Sequence, residues 1–132
     1  MINTASTFLL LRLAIGASMF GHGLVRLPKL NGFSAWMVGQ FEKSLLPPAL
    51  VIPFSYVLPV AEFLIGILLI LGLFTRQTLF SGGIVMILLV FGSCLIEEWS
   101  AIPSQLIHVF FFAIMLSSLN HNAFSIDALI KK

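Results

Sequence analysis

Charge is scarce in this chain: Asp, Glu, Lys and Arg make up 9% of its 132 residues, against about 25% in a soluble domain. With 59% hydrophobic residues and a mean hydropathy of +1.09, this excludes a water-soluble globule and points to an integral membrane protein. A formal charge of +2, scattered along the chain, is too little for a basic surface and excludes nucleic acid as a partner. Cysteine is nearly absent. Cys94 alone cannot form an internal disulfide, and without a CxxC pair thiol–disulfide exchange within the chain is excluded, so redox chemistry would need a cofactor or another subunit. GxSxG, the P-loop, HExxH and the dinucleotide fingerprint are also missing. No Lys or Arg precedes the first apolar run, and Arg12 interrupts it, so the run reads as a retained helix rather than a cleaved signal.

What is present is apolar length. Residues 7–27, 50–74, 78–96 and 102–119 each approach the roughly 20 residues that cross about 30 Å of hydrocarbon. They predict one antiparallel bundle of four transmembrane helices over residues 1–132, all-α, with both termini on one face. Open strands are excluded because lipid cannot satisfy unpaired backbone groups, and the alternating dyad of a barrel is missing. In the long first loop, Phe33, Trp36, Met37 and Phe41 fall at i, i+3, i+4 and i+8, predicting a short helix at the membrane surface or packed over the bundle mouth. Trp36 and Trp99 fall on the same face, as interfacial tryptophans would. TRQT, residues 75–78, reads as a tight turn between the second and third spans, and Ser125 as the cap of a last short turn. Arg76, Lys131 and Lys132 on the terminal face balance Arg26, Lys29 and Lys43 on the other. The terminal lysine pair and a second loop without acids favour cytoplasmic termini.

The few charges inside the spans are the candidates for chemistry. Counted from the span ends, Arg12 lies roughly 8 Å below the terminal face and Glu62 roughly 12 Å below it, so the two are expected to pair. An unpaired charge at mid-bilayer costs at least about 2.5 to 3.5 kcal/mol. His108, one to two turns from Glu62, extends this to a polar pocket, and Pro59 would free the Ser55 carbonyl toward it. Arg12, Gly16, Met19, Gly23 and Arg26 share one face of the first span, where small residues permit close helix approach. His22 with Arg26 at i+4 suits an anionic or quinone-like head group, or else both side chains snorkel to the interface. Depth also permits His22 and His108 to ligate a haem, but any intramembrane histidine pair raises that reading, and it ranks behind a quinone. Met19, Met37, Met86 and Met115 read as core filler, and no metal site is expected.

Several fragments carry a resemblance: R-L-A-I-G at 12–16, His22-Gly23, R-L-P-K-L at 26–30, P-V-A-E-F-L-I-G-I-L-L-I-L-G-L-F-T-R at 59–76, and F-S-I-D-A-L at 124–129. Together they resemble the DoxX family of small four-helix bacterial membrane proteins. The chain departs from that pattern at Asn120-His121-Asn122, where relatives commonly carry a Gly-Pro-Gly-like break. The resemblance implies a place in the bacterial inner membrane and in redox-associated complexes, since relatives include subunits linked to thiosulfate:quinone oxidation and to oxidative-stress complexes. It implies partner redox subunits or a homo-oligomer, with at most an accessory role in a quinone-linked oxidoreductase. Three functions follow: a redox-complex subunit whose pocket of Arg12, Glu62, His108, His22 and Arg26 binds a quinone-like or other small ligand; a scaffold in which the Arg–Glu pair only locks the bundle; and a small transporter built on Glu62.

Overall fold

A computed structural model describes residues 2–131; Lys132, used above in the charge balance, lies outside the described residues. Among the described residues six α-helices follow one another: α1 (Ile2–Arg26), α2 (Leu30–Gln40), α3 (Pro48–Leu71), α4 (Thr75–Leu95), α5 (Ile102–Leu116) and α6 (Ile126–Ile130). No strand occurs among the described residues, and four helical stretches are long and apolar enough to cross a membrane. The four helices α1, α3, α4 and α5 form the bundle, with α3 beside α1, α4 beside α3, and α5 between α4 and α1.

Glycine sets the tightest seam. A Cβ added to Gly23 would lie 2.5 Å from the Phe63 nitrogen, and one on Gly66 would lie 2.2 Å from the Phe20 nitrogen. The small-residue stripe of α1 therefore meets α3 backbone to backbone, antiparallel, and Phe20 stacks on Phe63 with ring centroids 5.1 Å apart. Across α4 and α5, Gly82 leaves room for the buried ring of Phe112. Phe8, Ile15, Met19, Ile65, Leu69, Leu79, Met86, Phe112 and Met115 form the core between these helices. The methionines named above pack into this core or, for Met37, into a second cluster with Val51 and Leu58. Apolar side chains also face outward, among them Phe80, Ile84, Ile87 and Phe91 on α4 and Leu106, Phe110 and Ile114 on α5, as contact with lipid requires.

The short helix expected in the first loop forms as α2 and packs along the first half of α3. Ser34 and Ser55 hydroxyls meet at 2.7 Å, and Tyr56 donates to Asn31 Oδ1 at 2.6 Å. Of the two mutually compatible arrangements expected for its stripe, packing over the bundle is seen in Met37, Phe33 and Phe41 against Val51 and Leu58. Trp36 and Trp99 stay exposed at the end remote from the termini.

The turn between the second and third spans lies earlier than TRQT. Helix α3 ends at Gly72 in the left-handed conformation (φ 69°), with Gly72 N–H donating to the Leu69 carbonyl and Leu73 N–H to that of Leu68. This glycine stop releases the chain three residues sooner than hydropathy alone indicates. TRQT then becomes the first turn of α4, capped from a distance: Asp127 accepts from Phe74 N–H and Thr75 N–H, both at 2.8 Å. The Gly72 carbonyl in turn accepts from Asp127 N–H at 3.0 Å. Ser125 caps α6 as expected, accepting from Ala128 N–H.

Burial raises the Asp127 carboxyl, but hydrogen bonds from Thr75 and from the Phe74 amide, together with Lys131, outweigh it and hold it below the usual carboxylate range. Since the folded value lies below the unfolded one, its contribution is complete at neutral pH and is lost as pH falls below about 4. Asp127→Asn, which keeps one acceptor oxygen but loses the second and the charge, should lower stability by about 1 kcal/mol, the worth of one net hydrogen bond, and flatten the acid limb. Melting curves of both proteins in detergent from pH 7 to pH 3 check this; parallel curves would contradict it.

Candidate functional site

Beyond the α1–α3 seam the bundle opens into a cavity of about 390 Å³, lined by α1, α2, α3, α4 and α5. That volume lies in the usual range for small-molecule sites. Its polar wall carries His22, Arg26, Glu62 and His108, with Ser93, Ser104 and Gln105 nearby; Phe33, Trp36, Phe41, Met37 and Met86 make the apolar one. Four of the five residues singled out from the sequence thus share one cavity, and the fifth, Arg12, is elsewhere.

Glu62 pairs with Arg26 and not with Arg12. Arg26 Nη1 donates to both carboxylate oxygens at 3.1 Å, and Glu62 is 2% exposed. The reason is register. Because α2 continues beside α3 where α1 stops, Glu62, midway along α3, faces the last turn of α1. Arg12 lies level with Gly72, ten residues and so about 15 Å further along α3. Depths counted from the ends of apolar runs do not carry this register, since they take no account of the stop at Gly72 or of α2 packing along α3. Nor does Arg26 snorkel: its guanidinium turns inward over the Phe33 ring, 4.6 Å from the centroid.

Arg12 instead fastens the C-terminal segment. Its Nη1 donates to Asn122 Oδ1 at 2.6 Å and its Nη2 to the Phe124 carbonyl at 2.7 Å, while Asn122 Nδ2 donates to Thr75 Oγ1 at 3.1 Å. The Asn120-His121-Asn122 segment thus supplies the side chain that receives Arg12. Asn122 and Asp127 are functional to this clasp and were not singled out for it; their polarity beside the α3–α4 turn is the only signal the sequence offers.

The histidines meet at the cavity wall, rings edge to face with centroids 6.3 Å apart. His22 Nδ1 lies 2.6 Å from the Ser18 carbonyl and His108 Nδ1 lies 2.8 Å from the Ser104 carbonyl. Carbonyls accept only, so each Nδ1 carries a proton. In neutral His108, Nε2 then accepts from the Ser18 hydroxyl at 2.8 Å. This bond, and not a contact with the Ser55 carbonyl, joins α5 to the site. No group of three or more His, Cys, Asp or Glu among the described residues is arranged to hold a metal ion.

A family model, described as DoxX, matches residues 7–94. The chain belongs to the DoxX family. The DoxX match takes in Arg12, His22, Arg26 and Glu62, while His108 and the C-terminal segment received by Arg12 lie beyond it. No curated protein and no solved structure matches this DoxX-family chain. The DoxX-family helices α1, α2 and α3 therefore carry the ion pair and most of the aromatic wall, and the remainder of the chain closes the cavity through α5.

Proposed function

We propose that this DoxX-family membrane protein is a subunit of a membrane redox complex whose intramembrane cavity holds the head group of a quinone-like amphiphile. The observation that carries the reading is the convergence of His22, Arg26, Glu62 and His108 on one cavity with an aromatic and methionine wall. Such a site offers hydrogen bonds to a polar ring and an apolar surface to the rest of the molecule. The resemblance of the sequence to redox-associated relatives supports the assignment to a complex. Glu62 balances the Arg26 charge and fixes the guanidinium in place. Lipid extracts of the protein purified from its bacterial membrane should contain quinone in near-stoichiometric amount. The amount should fall at least severalfold in Arg26→Met/Glu62→Leu, which keeps side-chain volume and removes both charges. Equal quinone content in the two extracts would overturn the reading.

A further inference from the structure

Resting on that reading of the cavity, we propose that it selects the hydroxylated, hydroquinone-type form of a ring head group over the corresponding dicarbonyl, with His22 as the acceptor. The argument is a match of donors to acceptors. His22 gives its Nδ1 proton to the Ser18 carbonyl, which in the neutral imidazole leaves the lone pair on Nε2. That nitrogen has no hydrogen-bond partner among the described residues, whereas the equivalent atom of His108 is taken by Ser18. Arg26 commits only Nη1 to Glu62, so its Nη2 and Nε remain free donors. His22 and Arg26 are four residues apart on α1, one helical turn, and both line the cavity. Between them these two side chains offer one acceptor beside one donor fork.

A ring hydroxyl matches both, donating to His22 Nε2 and accepting from Arg26. A quinone carbonyl matches only Arg26 and leaves Nε2 unpaired once the ring displaces water from the cavity, a loss comparable to one hydrogen bond. Charge favours a neutral ring head group, oxidised or reduced, over an anion. Arg26 and Glu62 already balance each other, so a neutral hydroxyl introduces no unpaired charge, while a carboxylate or phosphate would.

The test is calorimetric titration of the full chain in nanodiscs with a decyl-tailed benzoquinone and, separately, with the same compound reduced to its hydroquinone, each corrected against empty nanodiscs. The hydroquinone should bind about five- to tenfold tighter, the worth of one net hydrogen bond. His22→Phe should bring the affinities for the two forms to within about twofold of each other, and His22→Gln, which restores a carbonyl acceptor, should recover part of the preference. Equal affinity for both forms in the parent protein, or an equal loss of both in His22→Phe with none regained in His22→Gln, overturns the selectivity. Binding of neither form overturns the cavity reading itself.

Discussion

Gly66→Ala should be among the most damaging single-methyl substitutions in the protein. The added Cβ would lie 2.2 Å from the Phe20 nitrogen and 2.4 Å from its Cα. Both are backbone atoms of a helix, so no rotamer change relieves the contact. The α1 and α3 axes must separate by roughly 1 Å or more to restore van der Waals distance. That separation would also loosen the Phe20–Phe63 stack and pull Glu62 away from Arg26. Overpacking typically costs about 1 to 3 kcal/mol, and a rigid backbone contact belongs at the upper end. The control is Gly39→Ala, where an added Cβ meets nothing within 4 Å. Denaturation of both variants in detergent should show a clear drop in melting temperature for Gly66→Ala and almost none for Gly39→Ala. Equal melting temperatures would mean that the seam is looser than its geometry.

Removing Arg26 alone should be far worse than removing the whole ion pair. Glu62 is buried and both of its oxygens depend on Arg26 Nη1, so Arg26→Met strands a carboxylate in an apolar bundle. Breaking a buried pair from one side costs about 3 to 5 kcal/mol, whereas replacing both partners by apolar residues of similar volume is often neutral. Arg26→Met should therefore be strongly destabilised, and adding Glu62→Leu should restore most of the loss. A double-mutant cycle on unfolding free energies measures the coupling. If the double variant unfolds as readily as Arg26→Met, the cost lies in lost packing on Phe33 rather than in the stranded charge. Recovery of fold without recovery of quinone content would separate the binding role of the pair from its part in the bundle.

The two arginines of α1 serve opposite ends of the molecule. Arg26 shapes the cavity, whereas Arg12 draws the C-terminal segment against the Gly72 turn, where a Cβ would lie 2.5 Å from Ser125 Cβ and 2.7 Å from Arg12 Nη1. With Asp127 capping α4 from the same segment, the end of the chain closes the terminal face of the bundle. The site is left to the opposite end, where α2 and the aromatic side chains cover it.

Membrane character and helical class were determined by the sequence alone, because a scarcity of charge combined with four long apolar runs leaves helices as the backbone solution in lipid. The short helix after the first span and the close approach along Gly16 and Gly23 were legible for the same reason: helical periodicity places such residues on one face irrespective of what they meet. Which charge meets which was decided only by the tertiary structure. Arg12 and Arg26 lie on the same α1 stripe, and hydropathy depth put Arg12 nearer Glu62. The glycine stop at Gly72 and the docking of α2 along α3 set a register in which Arg26 reaches the carboxylate and Arg12 reaches Asn122. Periodicity fixes a face, but pairing depends on the axial offset between two helices, and that offset is set by steric contacts such as Gly66 on Phe20 that belong to neither sequence segment alone.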